Sequence, residues 1–203
     1  MYISKKFLSD IGSLNKNAIS WAITSNTSIA LINRNLSMNE DNQYIDDITP
    51  EEIQAGTQAV KEYCLENNEL ELLKQYLPLV LSGDELLTEM KAIKLIEINN
   101  AYEKDIFILQ KEYIPQTEML SFETQERESL AYKNSNYKDT SLCPFMQLIA
   151  NARGVDLKEL CDKALVKASL YRQGSGMLIG KRQGLQDSIE KVQDLETLGS
   201  IKW

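Results

Sequence analysis

Apolar residues recur at intervals of three and four over most of this chain. Between Asp84 and Tyr113 they fall at Leu95, Ile98, Tyr102, Ile106, Leu109 and Tyr113, with Glu97, Asn100, Glu103, Lys104 and Lys111 on the other side. That is the helical period, and it predicts one long helix stopped by Pro115. Upstream, Thr49-Pro50-Glu51-Glu52 reads as a helix start: Thr49 caps, Pro50 suits the first turn and Glu52 completes a capping box. This helix is expected to run to about Glu66. A short one follows from Glu69 to about Leu79, broken by Ser82-Gly83-Asp84-Glu85. Downstream, Ser121 is expected to cap a helix to about Lys133, Asn134 to Asp139 to form a polar loop, and Ser141 to Arg153 a further helix. Gly154 is placed to end that helix in a left-handed conformation.

The last helix is expected to start at Asp156, with Glu159 completing a second capping box and Val155 and Leu160 as its staple. Beyond it, Leu157, Ala164, Tyr171, Leu178, Leu185 and Val192 stand seven apart, and Cys161, Ala168, Ser175, Arg182 and Ile189 occupy the paired positions. A seven-residue repeat held this long predicts a long helix seated against another. Four of the nine glycines, Gly174, Gly176, Gly180 and Gly184, fall inside it. Gly176, Gly180 and Gly184 share one helical face, where missing side chains let another backbone come close. Each interior glycine costs about 1 kcal/mol against alanine. Either packing offsets that cost, or the helix breaks near Gly174-Ser175-Gly176.

The first 48 residues follow a different pattern. Ile19, Trp21 and Ile23, then Ile29 and Leu31, stand at alternate positions around Ser25-Asn26-Thr27-Ser28. This predicts a small β-hairpin, joined by a polar linker to the helices. The expected fold is mainly α: a helical body with long antiparallel helices, preceded by the N-terminal hairpin. Its expected parts are residues 1–48, 49–120 and 121–203. Trp21 is expected in a core, with a partner anchor as the alternative.

Composition narrows the chemistry. Histidine is absent, which removes the commonest general base and metal ligand. The three cysteines, Cys64, Cys143 and Cys161, stand in no ligand spacing and are expected as reduced, buried thiols. The net charge is −8, so backbone-driven nucleic-acid binding is not expected. No secretory signal is expected from the first residues, and no apolar run is long enough for a membrane span. Gly180-Lys181 suggests a phosphate loop, but such a loop needs glycine at 175 and a hydroxyl at 182. Those positions hold Ser175 and Arg182. The acidic pairs Asp46-Asp47 and Glu51-Glu52 fall in a linker and a helix start. Neither catalysis, a cofactor nor a metal is expected.

The C-terminal half, about residues 90 to 190, resembles a family of small tail proteins of Mu-like bacteriophages and prophages, usually filed with tail-fibre assembly proteins. The matching pieces, in order, are Lys91 to Asn99, Leu120 to Ser129, Leu148 to Val155, Lys163 to Ala168 and Ser175 to Asp187. The last, Ser-Gly-Met-Leu-Ile-Gly-Lys-Arg-Gln-Gly-Leu-Gln-Asp, is the most specific. One departure is Phe122-Glu123, where relatives often have Trp-Pro. The resemblance implies a non-enzymatic assembly factor for tail fibres in a bacterial cytoplasm, with a permanent tail or baseplate component as the alternative. The implied partners are a tail-fibre or other tail protein, and the heptad spacing adds a homo-oligomer. The residues expected to carry binding are Leu157, Ala164, Tyr171, Gly176, Leu178, Gly180, Gly184, Leu185, Val192 and Trp21.

Overall fold

A computed structural model describes residues 14–24, 26, 49–110 and 116–203 of the chain. They are mainly helical, and among them there is no strand. In chain order the helices are α1 (Lys16–Thr24), α2 (Pro50–Glu66), α3 (Leu70–Tyr76), α4 (Gly83–Leu109), α5 (Gln116–Met119), α6 (Phe122–Asn134), α7 (Pro144–Arg153), α8 (Leu157–Lys191) and α9 (Leu195–Ser200). They divide into two compact units. One unit runs up to Ile96 and includes Ile189–Ile201; the other holds Glu97–Ser188 with Lys202 and Trp203.

In the first unit, the strand expected at Ile19, Trp21 and Ile23 is replaced by helix α1. Asn15 caps it, its side-chain Oδ1 accepting from the Ala18 N–H at 3.0 Å. Ala18, Ile19 and Ala22 then bury completely, a helical spacing hidden by the larger alternate residues. The expected second strand, at Ile29 and Leu31, lies outside the described residues. The predicted start of α2 is present in full. The Thr49 hydroxyl accepts from the Glu52 N–H at 3.3 Å, and the Thr49 N–H donates to the Glu52 carboxylate at 2.9 Å. Val60, Cys64, Leu73, Tyr76 and Leu77 bury against α1, with Trp21 packed at the edge of this core. Lys16 reaches Glu69 at 2.7 Å and Lys61 reaches Glu89 at 2.7 Å. The end of α8 is tied to α4 where the Lys91 ammonium donates to the Glu190 carbonyl at 3.1 Å.

In the second unit, Tyr132, Cys143, Met146, Ala150, Leu160 and Cys161 form a small core among α6, α7 and α8. The start of α7 is capped from outside its own segment: the Glu128 carboxylate on α6 accepts from the Phe145 and Met146 N–H groups at 2.8 and 3.0 Å. Helix α7 therefore begins at Pro144, three residues later than expected. A short 3₁₀ turn, Thr140–Leu142, takes up the residues between. Gly154 adopts the predicted left-handed conformation at φ +63°. The Ser121 hydroxyl, expected to cap α6, donates instead to the Glu118 carbonyl at 2.7 Å. Within this unit α4 and α8 run antiparallel, since Asn99 meets Arg182 while Leu109 meets Gly174.

Candidate interaction face

Helix α8 runs unbroken through the glycine run for 35 residues, so the alternative of a break at Gly174-Ser175-Gly176 is not realised. Its start is held by Asp156, whose carboxylate accepts from the Glu159 N–H at 2.9 Å. The Glu159 carboxylate does not close a capping box; it pairs with Lys163 at 2.5 Å, one turn on.

Most positions of the seven-residue repeat are half-buried or buried in this chain. Leu157 and Ala164 pack on the small core of the second unit. Leu178 and Leu185 are half-buried, as are Ala168, Ser175 and Arg182 of the paired set. The Arg182 guanidinium donates to the Asn99 side chain at 3.3 Å and to Gln186 at 3.1 Å. Val192 lies just beyond the helix end and is buried in the first unit. Tyr171 is the exception, 42% exposed. Near it the Arg172 guanidinium forms an ion pair with Glu126.

The three glycines expected to admit a neighbouring backbone do not do so within this chain. A methyl group placed on Gly176, Gly180 or Gly184 would meet nothing within 4 Å. The glycine that does permit close packing is Gly174, where an added methyl would come 2.7 Å from the Leu109 side chain. The residues expected to form one binding site therefore separate. Leu157 and Ala164 pack on the core of the second unit, Val192 is buried, Leu178 and Leu185 are half-buried, and Trp21 packs on the core of the first unit. Gly176, Gly180 and Gly184 face outward. Also exposed on α8 are three apolar residues that the heptad reading passed over, Val166, Leu170 and Met177, at 60%, 62% and 72%. The signal was available, because 166, 170, 173, 177, 180 and 184 also alternate by four and three.

Two polar clusters complete the second unit. The Tyr137 hydroxyl donates to Asp162 at 2.5 Å. Its ring packs edge-on against Tyr132, and the Lys158 ammonium sits 4.7 Å above it. The bond to Asp162 pushes the Tyr137 hydroxyl up to about 12 and holds the Asp162 carboxyl below its ordinary range. The Trp203 indole N–H donates to Asp105 at 2.7 Å, its ring meets Tyr102 edge-on, and Lys181 lies 4.2 Å from its centre. This terminal tryptophan is thus anchored on α4 and α8 of its own chain. The three cysteines are buried free thiols. Burial, helped by nearby Glu69, pushes Cys64 up to about 11, and burial also raises Cys143 and Cys161. Among the described residues, no group of three histidine, cysteine or acidic side chains could hold a metal ion. Among those same residues, no helix is long and apolar enough to cross a membrane.

The comparisons with known proteins touch only the end of the chain. Residues 166–203 match the family described as the HI1402 helical domain, beginning within α8 and including α9. No curated protein and no solved structure matches the chain.

Proposed function

We propose that this chain is a non-enzymatic tail protein of a bacteriophage or prophage, acting as an assembly factor that binds a tail-fibre protein through its helical surfaces. The tail assignment rests on the resemblance across residues 90 to 190. The observation that carries the binding role is the apolar surface of the second unit. Phe107 is 73% exposed, Ile108 58% and Leu120 79%. Large apolar side chains held in water at a helix end favour a partner that covers them. Leu178 and Leu185 are poor choices for testing this role, because they are already half-buried. Phe107→Ser with Leu120→Ser is the suitable variant. It is expected to keep the thermal midpoint and lose the ability to hold a co-expressed tail fibre soluble. Undiminished rescue would remove these residues from the binding surface.

Quantitative mass spectrometry of purified particles against whole lysate separates the two tail roles. An assembly factor is abundant in lysate and missing from particles. A permanent adaptor stays at fixed stoichiometry, and that result would replace the assembly-factor reading.

A further inference from the structure

We infer that the outward stripe of α8 is a homodimer interface, in which a second copy of this chain packs antiparallel about a two-fold axis level with Ser175. The pairing does not depend on the tail assignment, so the two can fail separately.

The stripe is Val166, Leu170, Gln173, Met177, Gly180 and Gly184, spaced alternately four and three. All six positions are exposed, and methyl groups on the two glycines would meet nothing within 4 Å. Its two halves differ in size: the first carries the branched aliphatic side chains, the second carries the glycines. In an antiparallel pair centred on 175, each residue faces the one equally far beyond the centre. Val166 then meets Gly184 of the other copy, Leu170 meets Gly180, and Gln173 meets Met177. Each bulky side chain enters a gap left by a missing one, which is knobs-into-holes packing without overcrowding. A two-fold interface must be self-complementary, and this stripe is so only when reversed on itself.

Charge selects the same register. One turn outside the apolar layers, Lys163, which also pairs with Glu159 of its own helix, faces Asp187 of the other copy, and the symmetry makes this contact twice. A parallel in-register pair would set Lys163 against Lys163 and glycine against glycine. Lys167 and Lys181 approach across one flank, but that rim is solvated and screened, and the Lys181 ammonium is held over the Trp203 ring. The ionic contacts therefore set orientation and register, while the apolar layers supply affinity.

Sedimentation of the full chain over a dilution series tests this. A concentration-dependent dimer is expected. Leu170→Glu should raise its dissociation constant roughly a hundredfold, since each dimer loses two buried leucine layers. Because Leu170 is exposed, the helical circular dichroism should not change. Lys163→Glu and Asp187→Lys should each weaken the dimer, and their combination should restore it. Leu170→Cys with Gly180→Cys should oxidise to a covalent dimer, whereas either cysteine alone should not. A chain that is monomeric throughout overturns the proposal, and so does a dimer indifferent to Leu170→Glu. If deleting residues 27–48 converts a monomer into a dimer, the stripe is normally covered by its own chain, and the proposal fails in that form too.

Discussion

At the scale of single residues, neighbours decide what each side chain contributes. Tyr137 and Asp162 show this through pH. The Asp162 carboxyl lies below its ordinary value chiefly because the Tyr137 hydroxyl donates to it. A depressed carboxyl stabilises the fold above its unfolded value, and that contribution is lost as pH falls through the folded value. Tyr137→Phe should therefore raise the Asp162 titration toward the ordinary carboxylate value, read by carboxyl-detected NMR, and flatten the acid limb of the stability profile. An unmoved Asp162 titration would deny the hydrogen bond its role. The glycines of α8 differ in the same local way. Gly176→Ala removes backbone freedom from the unfolded chain and meets no neighbour, so it should stabilise the monomer by about 1 kcal/mol in denaturant melts. Gly174→Ala should gain less or lose, because the Leu109 side chain must move aside. Glycine spacing in the sequence picks out a shared face but does not say which glycine has a neighbour.

At the scale of elements, some of the caps and periods that act within one segment were legible. The Thr49-to-Glu52 box, the Gly154 stop and the continuous inner face of α8 all follow from local spacing. Two local readings failed on nearby competitors, since Ser121 donates to Glu118 and Glu159 pairs with Lys163, and one boundary was set from elsewhere in the chain. Helix α7 starts at Pro144 because Glu128, on another helix, accepts from two of its free N–H groups. Glu128→Ala should destabilise the second unit by about 1–2 kcal/mol, the range of a lost cap, visible as a lower midpoint in thermal denaturation. Glu128→Gln should recover part of it, since an amide oxygen can still accept. Helix α1 misled for a different reason. The alternation of Ile19, Trp21 and Ile23 outweighed the small residues Ala18 and Ala22, yet those two lie against the core. A segment this short carries both periods, and tertiary packing chooses between them.

At the scale of the whole molecule, the mainly helical fold and the antiparallel course of α4 and α8 were expected from the two long periodic runs. The candidate site was only half legible. The seven-residue repeat marks positions that are mostly half-buried or buried, while the exposed apolar residues Val166, Leu170 and Met177 lie on the other side of the same helix. Periodicity states which residues share a face; it does not state what covers that face. Inner and outer substitutions on α8 should therefore separate cleanly. Leu178→Ala, on the half-buried side, should lower the denaturation midpoint and leave any self-association of the folded protein unchanged. Leu170→Glu, on the exposed side, should do the reverse, and sedimentation beside thermal denaturation measures both.

The chain holds two tryptophans, and each packs within a different compact unit: Trp21 in the first, Trp203 in the second. They are built-in optical reporters. With Trp21→Phe the remaining emission follows only the second unit, and with Trp203→Phe only the first. The two fluorescence melts, overlaid, measure whether the units unfold together or one after the other, with no label added.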